Sequence, residues 1–116
     1  MSHGLVDALA QYLNLSVAEL KLTAGNMANA DTPGYKTQGF DFAKEFSSAV
    51  SLSDSAYGGP MVTEVSGLVA RPDGNTVSLD RESMNLAKTQ LEFRMGVEFL
   101  KHEFSQTMNA IRAEAK

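Results

Sequence analysis

The stretch AGNMANADTPGYKTQGFDF, Ala24 to Phe42, decides how the chain is read. Pro33 and Gly34 fit the second and third places of a type II turn, where proline presets φ and glycine accepts φ > 0. Thr32, before the proline, is pushed toward an extended conformation, so a helix arriving from the N-terminal side must end by about Asp31. Asn29, Asp31 and Thr32 carry short polar side chains that can bond nearby backbone and satisfy the last carbonyls of such a helix. A turn does not account for Asn26, one helical turn earlier, or for Tyr35 and Lys36 just after it. Asn26 and Asn29 share one edge of the helix. An amide pair there suits a joint, bonded either within the subunit or to a neighbour.

Upstream of the turn, Leu5, Leu9, Leu13, Val17, Leu20, Ala24 and Met27 recur at steps of three and four. This spacing predicts a helix over residues 4–29, roughly 39 Å long at about 1.5 Å per residue. Only Asp7, Glu19 and Lys21 are charged along it, so one neighbour is not expected to cover its surface.

A second helix is predicted from NTVSLDRES, residues 75–83, where Ser78 or Asp80 can cap an orphan N–H and Asp80 and Glu82 favour the positive end of the dipole. Leu79, Leu86, Phe93, Val97, Leu100, Phe104 and Ile111 form one seam at heptad-like spacing, with Ser83, Gln90 and Thr107 as polar members. Met84, Ala87, Leu91 and Met95 are read as a second, adjacent stripe. The methionines argue for packing against other helices.

Residues 37–77 hold five glycines, six serines and two prolines, which reads as a loop with turns at YGGP and RPDGN and room for short extended pieces at MVTEV and GLVAR. A connection this long is uncommon inside a compact domain. The expectation is therefore an all-α chain of two long helices paired as an antiparallel coiled-coil hairpin. Residues 1–30 form its first arm, 31–77 the turn motif and Gly/Ser-containing connector, and 78–116 its second arm. Such a hairpin leaves apolar surface facing water, so the missing core is expected from a partner, and the connector is expected to gain order only in that company.

The 116 residues are 43% apolar and 21% charged, with a formal charge of −4. The first 30 residues carry −1, residues 31–79 carry −3, and the remainder is balanced. No basic run marks a nucleic-acid or anionic-lipid surface. Cysteine is absent, which excludes thiolate chemistry and disulfides. No apolar run reaches the length of a membrane span, and the N-terminus lacks the pattern of a cleaved signal, so export is expected by another route. Glu98 and His102 make a helix pair rather than a set of three or four converging metal ligands. The glycines fit no phosphate loop. No catalytic, cofactor or small-molecule site is expected.

The residues NMANADTPGYK, Asn26 to Lys36, with Asn29, Ala30, Asp31, Thr32, Pro33, Gly34 and Tyr35 in place, resemble the N-terminal signature of the flagellar axial proteins of the rod and hook. Phe40 and Phe42 of the following FDF, and DGNTVSLDRESMNLAKTQLEF at residues 73–93, are similar to the proximal rod branch of that family. Hook and distal-rod members carry an added β-rich domain that this connector is too short to hold. The C-type proximal rod protein is the competing assignment within the family, and a soluble helical adaptor that binds one partner competes from outside it. The resemblance implies a non-enzymatic subunit whose helices pair and whose copies stack helically with one another. It further implies type III export without a cleaved signal, and contacts with the FliE adaptor, the export gate, the MS ring and other proximal rod proteins.

Overall fold

Why the N-terminal helix stops and where the chain goes next are set by two turns and one amide. In the computed structural model, which describes residues 3–52 and 56–115, helix α1 spans His3–Ala28, strand β1 Gln38–Gly39, helix α2 Phe42–Ser51, strand β2 Thr63–Glu64 and helix α3 Leu79–Glu114. Met1, Ser2 and Lys116 of the expected arms, the His3 side chain and residues 53–55 of the connector lie outside the described residues. Among the described residues no helix is long and apolar enough to cross a membrane.

The two long helices pack together. Asn26 meets Glu82, Glu19 meets Thr89 and Tyr12 meets Glu92, so residue numbers rise along α3 as they fall along α1. They pack tightly at Gly96, where an added Cβ would lie 2.8 Å from Leu13 Cδ2 and 3.1 Å from Tyr12 Cδ1. Ser78 caps α3 by accepting from Arg81 N at 3.2 Å, and Asp80 and Glu82 occupy the first turn.

The expectation of a connector with little regular structure is corrected by α2. Asp41 caps it, its side chain accepting from Lys44 N at 3.1 Å. Phe42, Phe46 and Ala49 recur at helical spacing, and the first two stand edge-on to Tyr12, with ring centroids 5.4 and 5.8 Å away. A ten-residue helix is marginal alone and is held by this packing. The serines that suggest a loop at Ser47 and Ser51 lie on its exposed side. The expected extended piece at MVTEV contains β2, which pairs antiparallel with β1 (Gln38 with Glu64, Gly39 with Thr63). GLVAR is not a strand; its first residue, Gly67, takes φ 80° in a turn.

The return from α2 is tied by Glu45, a buried carboxylate that accepts from Tyr57 Oη at 2.8 Å and Met61 N at 3.2 Å. Burial pushes the Tyr57 hydroxyl from 10.0 up to about 12, with the Glu45 hydrogen bond and charge adding to it.

Two outcomes follow from this packing. Gly96→Leu should lower unfolding free energy by about 1–3 kcal/mol by forcing the long helices apart. Gly96→Ala should change it by less than about 1 kcal/mol, because the gain in helix propensity offsets a small shift of the Leu13 side-chain tip; urea unfolding measures both. Because the folded value of Tyr57 lies above the unfolded one, its contribution is fully present below pH 10 and lost as pH rises through about 12. Tyrosinate absorbance should show this late step, and Tyr57→Phe should remove it and flatten the loss of stability over that window.

Candidate functional site: the joint at the end of the first helix

Asn26 is buried, and its carboxamide makes four hydrogen bonds. Nδ2 donates to the Gln38 carbonyl and to Glu82 Oε1, both at 2.9 Å. Oδ1 accepts from Gln38 N and from Tyr35 Oη, both at 3.0 Å. Two N–H groups and two lone pairs are the full capacity of an amide. Toward Gln38 the side chain behaves as a neighbouring peptide would, pairing with the edge of β1 opposite β2. All four of the Asn26 bonds are thus made within the chain.

Asn29 works locally: its Nδ2 donates to the Gly25 carbonyl at 2.8 Å and its Oδ1 accepts from Thr32 Oγ1 at 3.0 Å. The turn then forms as the residues dictate, with Tyr35 N donating to Thr32 O at 3.2 Å and Gly34 at φ 75°. Asp31, Thr32, Pro33 and Gly34 are exposed, whereas Ala30 is buried.

The turn is clasped by the segment just before α3. There Gly74 N donates to Arg71 O at 2.8 Å, closing a second turn with Gly74 at φ 86°. The two turns lie so close that a Cβ on Gly74 would sit 3.4 Å from Gly34 Cα, and Gly34 N donates to Asp73 O at 2.9 Å. Lys36 Nζ donates to the Gly74 carbonyl at 2.6 Å, Thr76 N to Tyr35 O at 3.1 Å, and Thr37 N to Thr76 Oγ1 at 2.9 Å. Asn75, fully buried, donates from Nδ2 to the carbonyls of Asn29 and Thr32 at 2.9 and 2.8 Å and accepts from Val77 N at 2.7 Å. Arg71 bonds the carbonyls of Ala30 and Val77. Charge enters through Glu82, buried and paired at 2.6 Å with Arg81.

Phe40 and Phe42 are half-buried beyond the joint, with their rings stacked 6.3 Å apart, and Phe42 reaches Tyr12 as above. They place α2 along α1. Sequence reasoning missed Glu82, assigned only to the helix dipole, and Arg71, Thr37, Asn75 and Thr76, which lay in what read as loop. The available signal was the chemistry of RPDGNT, a second Pro/Gly turn followed by Asn and Thr, the residue types that bond backbone at turns.

The residues of the expected seam divide between half-buried and exposed positions. Leu9, Leu13, Val17, Leu20 and Met27 on α1 and Leu86, Val97 and Leu100 on α3 are half-buried, whereas Phe93, Phe104 and Ile111 are exposed. The buried positions facing between the helices are Ser16, Thr23, Asn26, Glu82, Thr89 and Gly96. At about 100° per residue, Met84, Leu91 and Met95 stand on the side of α3 opposite Glu82, Thr89 and Gly96, which corrects the adjacent placement. Glu98 faces Lys101 at 3.7 Å and His102 lies 3.4 Å from Gln106, and among the described residues no three acidic or histidine side chains are grouped as metal ligands.

Asn26→Ala should cost about 2–4 kcal/mol, since it leaves the Gln38 peptide and the Glu82 carboxylate buried without that partner. Tyr35→Phe, which removes one of the four bonds, should cost about 0.5–1.5 kcal/mol. Chemical denaturation at neutral pH separates the two.

No family model matches the chain. Among curated proteins it is similar to the flagellar basal body rod protein FlgB of Salmonella typhimurium, 32% identical over 120 residues that cover 86% of this chain and 87% of that protein. The FlgB of Escherichia coli is 29% identical over 121 residues, covering 87% and 88% of the two chains. That of Cereibacter sphaeroides is 32% identical over 118 residues, covering 90% and 91%. With identity at this level running almost the full length of both partners, the chain belongs to the FlgB family of flagellar basal body rod proteins.

Proposed function

We propose that the chain is a proximal rod subunit in which α1 and α3 act as an antiparallel coiled-coil hairpin, locked at one end by the Asn26 joint. The observation that carries this reading is the near full-length similarity to FlgB proteins. The opposite running of the α1–α3 contacts and the heptad-like recurrence of Glu82, Thr89 and Gly96 on the packed side of α3 support the hairpin.

A rod that transmits torque needs subunits that do not change shape under load. A joint of saturated hydrogen bonds supplies stiffness where two long helices would otherwise splay. Copies related by a rotation that does not close would build a helical rod around an export channel. Its neighbours would be further copies, other proximal rod proteins, the FliE adaptor, the export gate and the MS ring. The protein would act in the periplasmic rod, reach it by type III export without a cleaved signal, and perform no catalysis.

Electron microscopy of basal bodies from a strain lacking the gene should reveal no proximal rod, and the intact gene should restore it. Complete rods without the protein would overturn the reading. The double variant Pro33→Ala, Gly34→Ala should lower stability by about 1–2 kcal/mol through lost turn preorganisation and strain at positive φ, and it should reduce rod assembly and swimming.

A further inference from the structure

One side of the α1–α3 pair is bare. α2 lies against α1 along Ala8, Gln11, Tyr12 and neighbouring positions. At about 100° per residue, Leu13, Val17 and Leu20 fall on the side of α1 away from α2. Phe93, Phe104 and Ile111 continue that strip on α3, and these three are 39%, 56% and 54% exposed. Leu20 and Phe93 line an open cleft of about 190 Å³ whose floor includes Ser16 and Thr89. This cleft, with the apolar strip that extends from it along the helix pair, makes an apolar groove.

Its margin on α3 is mainly basic, whereas its far end near Leu5 and Ile111 carries Glu103 and Glu114. By the same helical spacing Arg94, Lys101 and Arg112 border it on α3 and Lys21 on α1, all exposed. Glu98 shares the α3 margin 3.7 Å from Lys101, an exposed pair that a docking carboxylate can displace. The opposite character belongs to the connector, where residues 31–79 carry −3. Within it the arm at 61–69 presents Met61, Val62 and Val69 at 70%, 44% and 89% exposure, with exposed Glu64 between them.

We propose that this groove seats the 61–69 arm of the next copy of the chain, with Glu64 meeting the basic margin. The proposal rests on the rod-subunit reading and names the surfaces that would carry it. The arm sits beside the joint, at the end where α1 finishes and α3 starts, while the groove runs away from that end toward Leu5 and Ile111. A copy docked this way is displaced along the 70 Å axis of its neighbour, and because groove and arm are different surfaces the contact does not close on itself.

The chain has no cysteine, so introduced pairs report cleanly. Full-length protein carrying Phe104→Cys, mixed with protein carrying Val62→Cys and oxidised, should form a mixed disulfide dimer at least about tenfold faster than either variant alone, because docking raises the local thiol concentration. Arg94→Glu with Lys101→Glu should weaken self-association at least about tenfold, and Glu64→Lys on the docking copy should restore it. Dimers of the Phe104→Cys variant forming as readily as the mixed species would mean groove-to-groove pairing and overturn the proposal. Complete rods that contain both variants yet form no mixed disulfide would also overturn it while leaving the rod reading intact. Complete rods in a strain lacking the gene would instead overturn the rod reading itself.

Discussion

The fold turns on the carboxamide of Asn26. It joins three segments far apart in sequence: the last turn of α1, the start of β1 and the first turn of α3. Tyr35 supplies the fourth bond and so fixes the turn that brings β1 into place. Everything beyond is positioned by this contact. The direction of β1 sets where Phe40 and Phe42 land, these set where α2 lies on α1, and Glu45 on α2 holds the return of the chain through Tyr57 and Met61. A hydrogen bond between neutral groups adds about 1 kcal/mol, and one to a charged group such as Glu82 adds about 1.5–3 kcal/mol. Removal of the amide is worse than the sum of its bonds suggests where a group it serves is buried, as the Glu82 carboxylate is.

The distribution of residue types is unlike that of a self-sufficient domain. Among the described residues Leu15, Ala49 and Val77 are buried alongside Asn26, Thr37, Asn75, Glu82 and Thr89, while Phe93, Phe99, Phe104 and Ile111 face outward. Polar contacts are directional and give one geometry; apolar burial is non-directional and adapts to whatever surface arrives. Polar groups thus fix much of the geometry between the segments, and a large part of the apolar surface of α3 stays exposed.

Much of this was legible in the chain. The spacing of Leu9, Leu13, Val17 and Leu20 and the Thr32–Pro33–Gly34 turn located α1 and its end, and Ser78 with Asp80 located the start of α3. Asn26 stood out because a turn had no use for it, and the fourfold bonding explains why it is there. Two things stayed hidden for physical reasons. α2 was obscured because a helix of one face and many serines depends on Tyr12, a residue thirty positions earlier. The packed face of α3 was missed because hydrophobicity was taken as the guide to burial: Glu82, Thr89 and Gly96 are buried there by hydrogen bonding and close backbone approach, and the apolar strip beside them is left to the outside.

The joint also differs from the rest of the helix pair in how little chain its contacts must close. Closing the Asn26–Gln38 contact spans 12 residues and the Asn26–Glu82 contact 56, whereas Tyr12 and Glu92 are 80 apart in sequence. The entropic cost of closure rises slowly with that separation, so the contacts at the joint are somewhat less costly to close than those farther along the pair. The far end, where Leu5 and Ile111 line one open cleft, is the most distant from the joint. The dense polar network therefore sits at one end of the helix pair, where α1 finishes and α3 starts.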